Sequence, residues 1–508
     1  DKPADAAWPL RYDSGPVAGA AERRRLRVAV ADRLAVEYEH AASSGRVLRG
    51  LIGLGPSAMA QALPASGVQA RLELPRLDAE AWGAALQRVF GGGSALSAGA
   101  GLLPTQWTLH ADELLLDGRS LQQVSASGTQ QAGSWRGEVQ ARELAGRIEY
   151  HEGADGRAGK VSARLARLSI PAGGSDDRTL LAQPPSHIPA LDVVVDQFEL
   201  RGKRLGRLEI QAVNRDVASS SSGTVLQDWE LSRLALQAPE ADFIAQGRWA
   251  ALARGPGLPL DPRGSRAPED RRRTQLDFKL DIRDAGKLLA RLDMPDVLLR
   301  GRGELHGSLG WRGTPFSPHY PSMAGQLHLD VGAGQFLKAE PGVAKLLGVL
   351  SLQALPRRLT LDFRDLFSTG FAFDFIRGDV EVQAGIARTN NLQMKGPSAA
   401  VLMDGEADID HETQRLRVLV VPEIDAGTAA LVATAINPAI GIGAFVAQLV
   451  LKRPLIKAAT REFQISGRWD DPQVTPVGAP AAGAPAPTEP AAPSAPRSSA
   501  DTAQEERS

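Results

Sequence analysis

Between residues 276 and 283 the chain is apolar and charged by turns: Leu276, Phe278, Leu280 and Ile282 alternate with Asp277, Lys279, Asp281 and Arg283. A period of two sends successive side chains to opposite faces of a strand, so this stretch has one greasy and one charged face. The alternation returns at 68–74, 208–212, 327–331, 359–363, 371–375 and 416–420. Segments of this kind predict a β-dominated, mostly antiparallel sheet with one wet face. Asp117-Gly118, Asp404-Gly405 and Gly332-Ala333-Gly334 read as the hairpin turns between them.

Helical spacing is rare. Residues 78–90, with Asp78 as a cap and Trp82, Leu86 and Val89 near one face, predict a short helix, and 284–292 a connector. Val343, Leu346, Leu347 and Leu350 predict another within 342–355. The run Leu116, Gly118, Leu121, Val124 recurs 84 residues later as Leu200, Gly202, Leu205, Leu208, and Trp135 finds its counterpart in Trp229. Repetition of this kind points to stacked sheet modules. Residues 214–223 and 255–273, rich in Ser or in Pro, Gly and Arg, read as solvated loops, and the Ala-, Pro- and Ser-rich end of the chain as a disordered tail.

Composition narrows the function classes. The 508 residues suffice for several domains, and 58 Lys and Arg balance 59 Asp and Glu, which gives no footprint for nucleic acid. With only 8 Trp, 4 Tyr and 13 Phe, stacking platforms are scarce. The absence of cysteine excludes thiol catalysis, disulfides and cysteine-held metals. The opening residues lack the basic and then apolar pattern of a signal peptide, so any targeting segment would lie upstream.

Each catalytic reading has a simpler rival. No two histidines stand at helical metal-ligand spacing; His306, His319 and His328 come nearest and read as surface residues. Gly301, Gly303 and Gly307 lack the dinucleotide spacing and the Lys-Ser or Lys-Thr of a phosphate loop, and 304–310 continues as a strand. Asp362 with Asp365, and Asp408 with Asp410, are the acids any wet strand face carries. With no nucleophile elbow either, we expect no enzyme, no metal and no cofactor.

Residues 426–451 are 26 positions without a charge, including Ile436, Ile440, Ile442, Phe445, Val446, Leu449 and Val450. One helix of that length would reach about 39 Å, but Asn437-Pro438 divides it into pieces of about 20 Å or less, short of a bilayer core of about 30 Å. A helical hairpin dipping into one leaflet, with Lys452, Arg453 and Lys457 at the headgroups, fits this composition. So does a buried helical pair.

In the C-terminal half the order of elements resembles AsmA-like proteins, most of all their large YhdP branch. The likeness is carried by Trp311-Arg312-Gly313-Thr314-Pro315, Gly325-Gln326-Leu327, Leu361-Asp362-Phe363-Arg364-Asp365, Gly370-Phe371, Val420-Val421-Pro422, Asn437-Pro438 and Gly467-Arg468-Trp469, and extends over about 191–477. The resemblance implies an elongated, curved β-groove of the bacterial envelope, held in the inner membrane by a helix upstream of this chain. It further implies a periplasm-spanning conduit carrying phospholipid between inner and outer membranes. The expected plan is β-groove modules over 1–190, an AsmA-like groove over 191–424, an apolar helical pair over 425–460, a closing strand at 461–476 and the tail from 477.

An open apolar wall suits lipid for a physical reason. Soluble proteins avoid such a patch unless a ligand covers it, and one acyl chain gains roughly 10 kcal/mol at about 0.8 kcal/mol per buried CH₂. The residues expected to line the groove are Leu276, Phe278, Leu280, Ile282, Leu327, Leu329, Leu359, Leu361, Phe363, Phe371 and Phe373. Membrane contact, at the inner leaflet of the outer membrane, is expected from the apolar residues of 426–451 named above with Lys452 and Arg453. The rival functions are a scaffold for outer-membrane protein assembly or secretion, working by edge pairing, and a glycan-processing solenoid, which would need a row of aromatics that is missing.

Overall fold

The computed structural model describes residues 7–56, 62–90, 101–116, 118–131, 133–153, 158–171, 188–218, 225–251, 272–315, 318–337, 371–397, 399–422, 441–444, 447 and 460–477. They form one long, open, curved sheet of 24 strands. The first half comprises β1 (Leu10–Val17), β2 (Ala20–Val30), β3 (Leu34–Ala41), β4 (Val47–Leu54), β5 (Gly67–Asp78), β6 (Gln106–Leu116), β7 (Arg119–Gln131), β8 (Ser134–Gln140), β9 (Leu144–His151), β10 (Lys160–Ile170), β11 (Ala190–Leu200) and β12 (Lys203–Ala218). The second continues with β13 (Val225–Gln237), β14 (Ala241–Ala251), β15 (Arg272–Ile282), β16 (Leu298–Arg300), β17 (Gly303–Arg312), β18 (Ala324–Phe336), β19 (Phe371–Gln383), β20 (Ile386–Lys395), β21 (Ala399–Asp408), β22 (Thr413–Pro422), β23 (Arg461–Arg468) and β24 (Pro472–Pro476). Helices α1 (Ala79–Phe90) and α2 (Ala285–Arg291), a 3-10 turn at Tyr320–Ser322 and a helical stretch at 441–444 accompany them.

Sequence neighbours pair antiparallel almost throughout, as the alternation predicts. The exceptions are β5, parallel to both β4 and β6, β11, parallel to β10, and β16, which pairs with β18 and leaves β15 to pair with β17. A parallel partner obliges the chain to travel back along the strand before it re-enters the sheet, and α1 lies on one such return. Two of these junctions stand before β6 and β11, each of which opens a run of antiparallel hairpins. Leu116 and Leu200 end the first strand of β6–β10 and of β11–β15, and Gly118 (φ 70°) and Gly202 (φ 80°) sit in the turn that follows. The 84-residue echo thus marks equivalent hairpins, in which left-handed backbone favours glycine.

α1 begins at the cap its sequence predicts, and α2, expected as a short connector, is capped in the same way by Asp284. The Ala81 amide donates to Asp78 Oδ1 at 2.9 Å and the Lys287 amide to Asp284 Oδ1 at 3.0 Å.

Some sequence expectations need correction. Asp404-Gly405 and Gly332-Ala333-Gly334 are not turns but lie inside β21 and β18. Gly405 has a φ of 142°, and a Cβ there would fall 2.2 Å from the Arg415 carbonyl oxygen, so the glycine serves a close strand approach. Residues 214–218, read as loop, extend β12, and Arg272 and Arg273 begin β15. The polar composition misled there because tertiary pairing overrides propensity: Asn214 lies opposite Trp229 in the ladder and donates through Nδ2 to the Ile188 carbonyl at 2.8 Å. The helix expected in 342–355, the strand at 359–363 and the tail beyond 477 lie outside the described residues, as does most of 425–460. No helix among the described residues is long and apolar enough to cross a membrane.

Candidate binding groove

Ladder register builds one continuous apolar face. Leu276, Phe278, Leu280 and Ile282 of β15 stand opposite Leu309, Gly307, Leu305 and Gly303 of β17, which in turn oppose Gly325, Leu327, Leu329 and Val331 of β18. On the other side of β15 the same face receives Gly247, Ala245, Phe243 and Ala241 of β14. Because partners in a ladder share a face, the apolar residues of one strand continue those of the next. Over this stretch the face carries no charged side chain.

Burial varies across the width of this face in a regular way. At one margin Trp249 and Trp311 are 1% and 6% exposed and flank Thr274, whose hydroxyl donates to the Gly313 carbonyl at 2.9 Å. At the other, Ile282 and Phe373 are 8% and 2% exposed and cluster with Val331, Leu298, Ala285 and Leu288, the last two from α2. Between the margins Leu276, Phe278, Leu280, Leu327 and Leu329 remain only half-buried. From Leu276 to Leu280 that central strip is about 14 Å wide at about 3.4 Å per residue. It is a trough with two packed banks.

Aromatic rings lie flat on this face because glycines sit beneath them. A Cβ added at Gly128 would fall 2.5 Å from the Trp107 ring, and one at Gly334 would fall 2.6 Å from the Phe373 ring. Phe373 also meets Phe336 at 5.3 Å between ring centroids, and Phe278 meets Phe243 at 6.0 Å. Glycine leaves the ring room to lie along the sheet instead of projecting from it.

The α2 bank is fastened by polar contacts. Arg291 grips Glu240 with Nε and Nη2 at 2.7 and 2.9 Å, which holds the Glu240 carboxyl below its ordinary range, and Lys203 Nζ donates to the Leu292 carbonyl at 2.7 Å. The opposite face of the sheet is charged. Lys279 lies 3.0 Å from both Asp281 and Glu304, which raise its pKa. Also on that face is a cleft of about 1010 Å³ lined by His306, His328, Asp379, Arg388, Glu406 and Arg415 among others. There burial pushes the Asp379 carboxyl up, but hydrogen bonds from His328 at 2.7 Å and Asn391 at 2.7 Å outweigh it and hold the group below its usual range.

Of the residues predicted to line the groove, Leu276, Phe278, Leu280, Ile282, Leu327 and Leu329 come together on the inner face, and Phe373 joins them in the α2 bank. Phe371 pairs through its backbone with Phe336. Leu359, Leu361 and Phe363 lie outside the described residues, as do Ile436, Ile440, Phe445, Val446, Leu449, Val450, Lys452 and Arg453. Ile442 is described, and it is 1% exposed. Sequence reading missed Leu305, Leu309, Phe243 and the Trp249–Trp311 margin, since Gly303 and Gly307 dilute the apolar signal and a tryptophan reads as a lone large residue. Among the described residues no three His, Asp or Glu side chains are placed to hold a metal.

An unclosed β-sheet with an apolar trough on one face and ion pairs on the other defines a class of elongated groove proteins. The chain belongs to the YhdP protein family, whose pattern matches residues 1–474. It is 35% identical over 170 residues to the intermembrane phospholipid transporter YhdP of Escherichia coli (strain K12). That alignment covers 33% of this chain and 13% of the relative, so the likeness spans a small part of that protein's length. No solved structure matches the chain.

Proposed function

We propose that this chain forms a stretch of an envelope conduit that carries phospholipid between inner and outer membranes, with acyl chains in the apolar trough. The observation that carries the reading is the half-buried central strip of Leu276, Phe278, Leu280, Leu327 and Leu329 between two packed banks. An apolar strip left half-exposed between two packed margins is a surface awaiting an apolar guest. Each buried CH₂ of that guest contributes about 0.8 kcal/mol, and a wall of similar side chains from strand to strand offers no single deep trap. The role of that relative as an intermembrane phospholipid transporter supports the same reading. Passage of this kind needs no catalytic group, and headgroups would remain in water at the mouth of the trough. Envelope placement and contact with the outer membrane belong to the proposal.

Photo-crosslinking side chains at Phe278 and Leu327, introduced one at a time into the full protein in cells, are expected to capture phospholipid. A crosslinker at Lys279, on the charged face, is expected to capture none. Capture of polypeptide in place of lipid at the inner positions would overturn the proposal and favour a protein-assembly scaffold.

A further inference from the structure

The two margins of the trough differ in chemistry. Asn214, Trp229, Trp249, Thr274 and Trp311 stand opposite one another in successive ladders, so one margin is a row of side chains with polar tips. Trp229 Nε1 donates to the Pro189 carbonyl at 3.3 Å and Trp311 Nε1 to the Thr314 carbonyl at 2.8 Å. Other atoms of this margin are not so placed: Asn214 Oδ1, Trp249 Nε1 and Thr314 Oγ1 are shut off from solvent and find no hydrogen-bond partner among the described residues. Arg272, one step further out on the same face, sets its guanidinium 4.8 Å from the centre of the Trp249 ring. The opposite margin, where Ile282, Val331, Leu298 and Phe373 meet Ala285 and Leu288 of α2, is closed by apolar side chains.

A trough with one polar and one apolar margin can tell the two ends of a lipid apart. Polar atoms cut off from water without a partner are rare in folded proteins, since each forfeits the hydrogen bond it had in solution. Several of them along one margin of an apolar trough mark the place where a guest brings polar atoms of its own. The central strip between the margins, about 14 Å wide, matches the hydrocarbon depth of one leaflet, about half of a core of about 30 Å. An acyl chain laid along the strands therefore reaches from one margin to the other.

We infer that phospholipid lies in the trough with a fixed polarity, its glycerol-ester end at the tryptophan margin and its acyl methyl ends against the α2 bank. Trp249 Nε1 and Thr314 Oγ1 donate to ester carbonyl oxygens, and Arg272 sets positive charge on the side where the phosphate emerges. Passage from strand to strand then keeps the lipid the same way round. The inference rests on the lipid-conduit reading and adds an orientation to it.

Photoactivatable phosphatidylethanolamines test it in the full protein without any substitution, one probe carrying a diazirine beside the ester and the other at the acyl methyl end. After irradiation and proteolysis, the ester-side probe is expected to label peptides holding Trp249, Thr274 or Trp311 several-fold more than those holding Leu288, Leu298 or Phe373. The methyl-end probe is expected to show the reverse preference. Equal labelling of the margins by both probes, or an exchanged pattern, overturns the inference and leaves lipid passage standing. If neither probe labels either margin, lipid passage itself falls, and the orientation with it.

Discussion

Arg49 donates through Nε to Glu39 Oε2 at 2.8 Å, and the carboxylate that receives it has no solvent exposure. Arg25 meets the other oxygen at 3.1 Å through its own Nε, so one acid fastens β2, β3 and β4 together. The hydrogen bond from Arg49 is the largest cause that lowers the Glu39 pKa, to about 2. A depressed carboxyl stabilises the fold fully above its unfolded value and loses that contribution as pH falls through the folded one. Glu39→Gln should cost about 2 kcal/mol at neutral pH, with the difference from the parent closing between about pH 4.5 and pH 2. Thermal melts of both chains across that window check the sign; a gap that widens on acidification contradicts it.

Charge introduced into the trough should stop a guest before it unfolds the host. Leu280 is half-buried, so Leu280→Asp has water within reach of its carboxylate and is expected to cost about 2 kcal/mol. Lipid copurifying with that variant, measured by mass spectrometry, should fall sharply. Lys279→Asp, one residue away on the opposite face, should leave it unchanged.

Fastening of α2 should show in its own amides. Removing the Arg291 fork with Arg291→Ala is expected to loosen the helix by about 2 kcal/mol, or roughly thirty-fold faster hydrogen exchange over 285–291. Exchange in β6–β10 should not change.

Glycines on the two faces should differ in tolerance. Gly405→Ala forces a Cβ towards the Arg415 carbonyl from a φ of 142° and should cost at least about 2 kcal/mol. Nothing lies within 4 Å of the Cβ position of Gly15, and Gly15→Ala should stay within about 0.5 kcal/mol. Denaturant midpoints for the pair settle this, and equal shifts would count against the close approach in β21.

The sheet was legible in the sequence wherever polar and apolar residues alternate strictly, as in β15, because period two has one structural meaning. It failed where glycine changes role. Asp404-Gly405 has the composition of a hairpin turn, yet its glycine admits a neighbouring carbonyl in mid-strand. The trough was legible as a list of leucines and phenylalanines, but its banks were not. Trp249 and Trp311 come from strands far apart in the chain, and α2 reaches the inner cluster only because β15 is followed in the ladder by β17. Parallel junctions left no local trace either, since strand direction depends on where the chain returns.

Those junctions make length a matter of counting. β6–β10 and β11–β15 each start afresh beside the preceding strand, so insertion or loss of one five-strand unit would leave the cross-section of its neighbours as it was. At about 4.8 Å between strands, one unit changes the reach of the molecule by about 24 Å. Duplication in the gene can therefore lengthen or shorten such a sheet in whole steps, without redesigning its interior.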